Sequence, residues 1–436
     1  MQLSRYLKVY PSRTRPDQFL LFSTQRTSTV LVSGATLRTA QAGGDLGPDG
    51  ETLSLLGMLV PDLDAEREQM RSMLERLNAK SRRFDVIVVL NLDCNLDCIY
   101  CYEENFRGEH YMSQATAQLL VENLVRDRIS QGKDLFVTFY GGEPLLSEEL
   151  IRAISLPLLA AAERHKVRYG FALVTNGTLL NRETALRLVP LGLRGARFTL
   201  DGPRDIHDRQ RPYASGSGSF DAIVDNMAAI CDIVPVALGG NFYRENYRSF
   251  PRLLDELVER GITPDKLSQV MFTPVTPKAG CAEKGAGCAG SAEPWLIEAS
   301  PYLRQEIMSR GFATGGPSVS ACIVELADNM VVNCDGSLYK CPAFMGWQGF
   351  SIGTLADGIT DYARSHGIGN WQNDDCLDCP YLPICFGGCR FMNLLQGKGL
   401  SEVDCRRDFL DATLETFILQ NMASPQAQGA PHRTGR

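Results

Sequence analysis

Three cysteines fall within eight residues at Cys94-Asn-Leu-Asp-Cys98-Ile-Tyr-Cys101, a C-x3-C-x2-C spacing directly after the apolar run 86–90. Soft thiolates this close together can grip one iron–sulfur cluster, and because a cubane takes four cysteines the set leaves one iron open. An open iron beside an aromatic ring such as Tyr100 suits a small chelating molecule that brings an adenine. The chain has fourteen cysteines in all, and most of the others gather near its end. Cys322, Cys334 and Cys341 come first, then Cys376-x2-Cys379-x5-Cys385-x3-Cys389, and Cys405 follows after fifteen more residues. A disulfide framework belongs to small secreted domains. In a 436-residue chain these clusters read instead as metal ligation in a reducing, oxygen-poor compartment, which makes the cytoplasm the expected location.

The elements that must position these thiols repeat. Apolar runs at 85–90, 135–140, 169–174, 196–200, 234–238 and 269–273 read as buried parallel strands, separated by amphipathic stretches at 113–130, 147–165, 182–188, 220–231 and 247–260. Six strand-then-helix units require right-handed crossovers, and six rather than eight point to an open partial barrel, a (βα)6 α/β fold over residues 84–293. In parallel barrels the chemistry collects at the C-terminal strand ends. The cysteine loop follows the first run, and Gly141-Gly142-Glu143-Pro144 follows the second. There the glycines would let backbone approach a ligand, and Glu143 would offer a carboxylate to an ammonium group. Thr175-Asn176-Gly177 follows the third run, and Thr199-Leu-Asp201-Gly202-Pro203 the fourth.

Residues 1–83 read as a separate α+β unit, with short strands at 8–10, 19–23 and 28–32 and helical spacing across 51–77 interrupted at Pro61-Asp62. Read from its residues alone, it is a cap that covers the barrel. Loop 274–293 is rich in Gly and Ala and reads as flexible, with Cys281 and Cys288 incidental; Cys231 reads as core. Residues 294–422 form a cysteine-rich C-terminal domain, and 423–436 a disordered tail. Net charge is −7, which argues against a nucleic-acid-coating or polybasic membrane role. No window approaches the roughly 18 uninterrupted apolar residues of a membrane span, and the start lacks the apolar core of a secretion signal.

The spacing Cys94, Cys98, Cys101 with Tyr100 before the last cysteine, backed by Gly141-Gly142-Glu143-Pro144, resembles the radical S-adenosylmethionine (SAM) superfamily. The resemblance implies a 4Fe-4S cluster on Cys94, Cys98 and Cys101. It places the SAM amino group at Gly141, Gly142, Glu143 and Pro144, the adenine beside Tyr100, and the ribose and carboxylate near Thr175, Asn176, Thr199 and Asp201. Arg211 is the candidate partner of the SAM carboxylate, since a guanidinium fork matches it; the alternative is a solvated loop arginine. His207 reads as structural, and no catalytic residue is assigned beyond the cluster.

The order Cys322-x13-Gly336-x4-Cys341, then Cys376, Cys379, Cys385, Cys389 and Cys405, resembles the SPASM domain, which carries two auxiliary 4Fe-4S clusters. The family's interleaved pairing implies one cluster on Cys322, Cys341 and Cys389, with the extra Cys334 as fourth ligand, and a second on Cys376, Cys379, Cys385 and Cys405. Without Cys334 the first would keep an open iron for a substrate thiolate. The strands and helices of residues 1–83 resemble the winged-helix-like leader-binding unit of peptide maturases. The opening Met-Gln-Leu-Ser-Arg-Tyr-Leu-Lys-Val-Tyr-Pro-Ser is similar to geopeptide-type radical SAM maturases. Together these imply a ribosomal precursor peptide with a leader as substrate, a flavodoxin- or ferredoxin-like electron donor, and a thioether as product, with epimerisation or a carbon–carbon crosslink as alternatives. Pro342 stands where the sulfatase-maturing members carry an aspartate after the cysteine, so sulfatase maturation is not expected. A redox sensor or electron carrier is the reading from another class, and a SAM enzyme acting on a small molecule a third.

Overall fold

A computed structural model describes residues 1–101, 103–104, 106–275 and 293–423. Cys281, Cys288 and most of the loop expected to be flexible lie outside the described residues, as does the tail beyond 423.

The chain divides into two units, and neither coincides with a single stretch of sequence. The first comprises Met1–Lys80, Gly316–Ala327 and the described residues from Ala363 onward; the second comprises Ser81–Gly315 and Asp328–Tyr362. In the first unit, β1 (Gln2–Leu3) pairs antiparallel with β5 (Leu59–Val60). Strands β2 (Leu7–Pro11), β3 (Gln18–Ser23) and β4 (Ser28–Ser33) form an antiparallel meander. Helices Gly34–Gln41 and Leu63–Arg71 start where their caps dictate, because the Ser33 and Asp62 side chains accept from the backbone N–H groups of Thr36 and Ala65. The Pro61-Asp62 interruption is therefore a helix start. Tyr6, Met70 and Leu74 pack with Trp371, Leu377, Leu382 and Phe386 in one buried cluster. The Tyr6 hydroxyl also donates to the Leu377 carbonyl at 2.9 Å. The N-terminal segment and the late cysteine segment thus share a core, where the sequence pointed to separate domains at 1–83 and 294–422.

The second unit is built on a ten-stranded sheet. Strands β6 (Arg83–Asn91), β7 (Asp134–Gly141), β8 (Tyr169–Val174), β9 (Leu193–Thr199), β10 (Val236–Phe242) and β11 (Leu267–Pro274) run parallel in that order, each joined to the next through helix. This is the expected parallel (βα)6 arrangement. Beyond it, β12 (Asn329–Val332) pairs parallel with β6, and β13 (Ser337–Tyr339), β14 (Gly353–Thr354) and β15 (Gly358–Ile359) continue antiparallel. Four strands from the expected C-terminal domain therefore complete this sheet and cover what would be an open edge at β6. Among the described residues, no helix is long and apolar enough to cross a membrane.

Candidate functional site

Strand β6 delivers the cysteine loop, and the ends of β7 and β8 close against it. Asn91, the last residue of β6, is fully buried and donates through Nδ2 to the Glu143 carbonyl at 3.0 Å and to Ser147 Oγ at 2.8 Å. A Cβ on Gly141 would meet the Asn91 carbonyl oxygen at 2.2 Å, and one on Gly142 would meet that of Asp93 at 2.1 Å. The glycines thus allow two stretches of backbone to touch each other at the mouth of the cysteine loop. Pro144 opens a short turn behind them, capped by the Glu143 side chain.

Glu143 corrects an expectation. Its carboxylate is wholly buried and accepts from Leu145 N at 3.0 Å, from Asn176 N at 2.8 Å, and from Thr175 Oγ1 at 2.8 Å to each oxygen. Burial pushes its pKa up to about 7, while those donors pull it down. With its lone pairs engaged inward, the carboxylate clamps the end of β7 to the turn after β8 and is not left for an ammonium group. Asn176 then reaches the cysteine loop, donating to Asn95 Oδ1 at 2.8 Å and lying 3.6 Å from Cys94 Sγ. Burial raises the Cys94 and Cys101 thiols to about 11, so a bound metal is what would hold them as thiolates. Arg107, which no motif marked, donates to the carbonyls of Cys94 at 2.9 Å and Leu96 at 2.5 Å.

The far side of the loop docks on residues 210–214, with Asp97 N donating to the Pro212 carbonyl at 2.8 Å and Ile99 N to that of Gln210 at 3.0 Å. That docking carries Arg211 to the loop. Arg211 caps the end of helix Arg204–Gln210 and is only 9% exposed, which removes the solvated-loop alternative. One guanidinium nitrogen donates to the Tyr100 hydroxyl at 2.6 Å and lies 3.7 Å from Asp201 Oδ2. The Tyr100 hydroxyl in turn donates to Asp201, and Asp201 Oδ1 accepts from Asn241 N at 2.7 Å. Asn241 Nδ2 also donates to Tyr100 at 2.9 Å. Thr199 ends β9 level with Gly239 of β10. His207 is buried and neutral: its Nδ1 accepts from Asp201 N at 3.2 Å and its Nε2 donates to Ser219 Oγ at 3.0 Å. Arg211 Nε is buried without a hydrogen bond, and this orphan donor fits the arrival of a carboxylate. Apart from the altered role of Glu143, the structure brings Cys94, Cys98, Cys101, Tyr100, Glu143, Thr175, Asn176, Asp201 and Arg211 to one set of strand ends. Asn91 and Asn241 join them unannounced, because only the polar end of an apolar strand marks either.

The late cysteines divide between the two units. Cys376, Cys379, Cys385 and Cys405 line one cavity of about 680 Å³ in the first unit. The positive charge of Arg407 lies close to Cys379, and that of Arg406 offsets the rise that burial imposes on Cys385; both cations suit an anionic thiolate cluster. Cys322 and Cys389 also lie in the first unit, whereas Cys334 and Cys341 lie in the second. The segments carrying Cys322 and Cys389 are tied by the buried ion pair Glu325–Arg390. All twelve described cysteines are free of disulfides. Among the described residues no three Cys, His, Asp or Glu side chains close to the spacing of a single bound ion; the four sulfurs around one zinc sit only roughly 3.8 Å apart, and a cubane spreads its ligands wider.

Residues 88–257 match the Radical SAM superfamily. An uncharacterised protein of Methanocaldococcus jannaschii is 32% identical over 254 residues, covering 58% of this chain and 82% of that one. The Fe-coproporphyrin III synthase of Methanosarcina barkeri is 32% identical over 182 residues, 40% of this chain, which spans only 42% of that relative's length. The cysteine-type anaerobic sulfatase-maturating enzyme of Clostridium novyi is 27% identical over 331 residues, 68% of this chain and 85% of that one. Two solved structures share the fold. anSMEcpe with AdoMet and the Kp18Cys peptide has a TM-score of 0.63 at 17% identity, covering 78% of this chain and 99% of that one. Streptococcus suis SuiB with its precursor peptide SuiA has a TM-score of 0.53 at 17% identity, covering 93% and 98%.

Proposed function

Because the chain belongs to the radical SAM superfamily, we propose that it is a maturase that modifies a ribosomally made precursor peptide, with a thioether as product. The observation that carries the cofactor half of this reading is the strand-end constellation: three half-buried cysteines beside a tyrosine–aspartate–arginine network in which Arg211 Nε awaits an acceptor. Cys94, Cys98 and Cys101 would hold the cluster, and Arg211 would take the SAM carboxylate. The backbone of Gly141 and Gly142, held in place by the buried Glu143, would face the amino group. When bound, the cluster and SAM supply a 5′-deoxyadenosyl radical that abstracts an unactivated hydrogen. The chain's own part is to orient the substrate and keep water out.

Peptide as substrate draws on the fold shared with proteins solved in complex with peptides. The C-terminal cysteines would carry two auxiliary 4Fe-4S clusters of the SPASM kind, one on Cys376, Cys379, Cys385 and Cys405, the other on Cys322, Cys334, Cys341 and Cys389. A flavodoxin- or ferredoxin-like protein in the cytoplasm would supply the electron. Likeness to a sulfatase-maturating enzyme favours a second reading, oxidation of a sulfatase cysteine, but Pro342 occupies the place of the expected base. An electron carrier has no use for the Arg211 donor.

The test uses anaerobically reconstituted protein with SAM, dithionite and a Cys-containing peptide encoded beside its gene, followed by mass spectrometry. Formation of 5′-deoxyadenosine, with loss of the two hydrogens a crosslink releases and a cysteine that no longer alkylates, is expected. Deoxyadenosine with unchanged peptide mass would point to epimerisation or another substrate. No deoxyadenosine from protein of verified iron content would overturn the enzyme reading.

A further inference from the structure

Inside the barrel, below the strand-end site, Arg197 has no partner among the described residues. Arg197 lies on β9, opposite Val174 of β8 and Ala237 of β10. Its neighbours Ala196 and Phe198 are buried, and Phe198 lies against Gly177 and so faces the helix layer, while Gly195, Arg197 and Thr199 stay partly exposed on the opposite face. That face is the lumen. On β10 the same alternation holds: a Cβ on Gly240 would strike Phe250 of the outer helix, whereas one on Gly239 would meet Arg197 Nε at 3.1 Å. The guanidinium therefore lies across Gly239 inside the barrel, two residues, or roughly 7 Å, along β9 from Thr199. Its lumen neighbours on the adjoining strands are neutral: Ala172, Val174, Ala237 and Gly239. Among the described residues it forms no hydrogen bond or ion pair, and burial alone acts on it, drawing its pKa down.

A half-buried cation with no counter-charge carries an uncompensated desolvation cost, which a ligand bringing an anion would relieve. Arg211 already stands beside the cysteine loop for the carboxylate of the cofactor, so a second anion is to be sought deeper in the lumen, at Arg197. We propose that Arg197 binds a carboxylate of the substrate peptide and thereby sets which residue reaches the reactive end of the barrel. This rests on the peptide reading given above. The carboxylate can be an Asp or Glu side chain near the modified residue or the peptide's own C-terminus.

The experiment is affinity selection with mass-spectrometric readout. Reconstituted, SAM-bound holoenzyme is presented with two randomised synthetic peptide libraries, one with free and one with amidated C-termini. The wild type, Arg197→Gln and the charge-keeping Arg197→Lys are compared. A charge-assisted pair predicts about a ten-fold preference of the wild type for acidic peptides, reduced in Arg197→Lys and absent in Arg197→Gln, with SAM cleavage without peptide equal in all three. Enrichment of Asp or Glu in both libraries assigns the side chain as source; enrichment confined to the free library assigns the terminus. Peptides retained equally by wild type and Arg197→Gln, with no acidic preference, overturn the inference and leave the peptide reading standing. No peptide retained by the wild type overturns both. Weakened SAM binding in Arg197→Gln would assign the guanidinium to the cofactor and overturn the inference as well.

Discussion

Replacing Gly142 with alanine would put a methyl carbon 2.1 Å from the Asp93 carbonyl oxygen, 2.6 Å from its carbon and 3.1 Å from Cys94 Cβ. The first two are backbone atoms, so no side chain can swing aside. Restoring ordinary contact, at about 3.4 Å, requires the cysteine loop to retreat by more than about 1 Å. Overpacking of this kind costs typically 1–3 kcal/mol of stability, at about the level of one extra buried methyl. The larger effect is positional: Cys94 would move with the loop, and a displacement of about 1 Å at a reacting centre costs on the order of 100-fold in rate. The assay is 5′-deoxyadenosine formation per cluster in reconstituted protein, with iron content measured alongside. Gly132→Ala serves as a control for backbone strain alone, since Gly132 has a positive φ (78°) and nothing within 4 Å of an added Cβ; it should show strain of roughly 1–2 kcal/mol and no loss of rate. A Gly142→Ala protein that loads iron fully and cleaves SAM at the wild-type rate would refute the steric argument.

Three other outcomes follow from the same geometry. Arg390→Met should destabilise the first unit by about 3–5 kcal/mol in denaturant unfolding, because it leaves Glu325 buried without its partner, whereas adding Glu325→Leu should recover much of the loss; equal losses in single and double variants would contradict this. His207 is held neutral by burial, with a pKa well below its ordinary value, so folding stability should be intact above about pH 6.5 and fall as pH drops below it. Melting at pH 7.5 and 5.5 should show that drop shrinking in His207→Gln. Cys405→Ser should lower iron content by about four atoms per chain if its cavity holds a cluster, while Cys231→Ser, outside either cysteine group, should leave iron unchanged.

What lies close together in sequence was legible there. The spacing of Cys94, Cys98 and Cys101 rests on neighbours within one loop, the strands of the barrel on the period of a single strand, and the Cys376–Cys405 grouping on one short stretch of sequence. Residues whose roles depend on register between strands were not. Asn241 reaches Asp201 and Tyr100 only because β9 and β10 align Gly239 with Thr199, and Arg197 faces the lumen by the same pairing. Glu143 was found by its motif, yet its direction was set by the turn after β8, which supplies three of its hydrogen bonds. The two-unit division also escaped the sequence, since Tyr6 meets Leu377 across more than 370 residues of chain. Local pattern determined which thiols could bind iron. Burial and long-range strand pairing, which no short window contains, decided which polar groups surround them and which cation is left to meet a ligand.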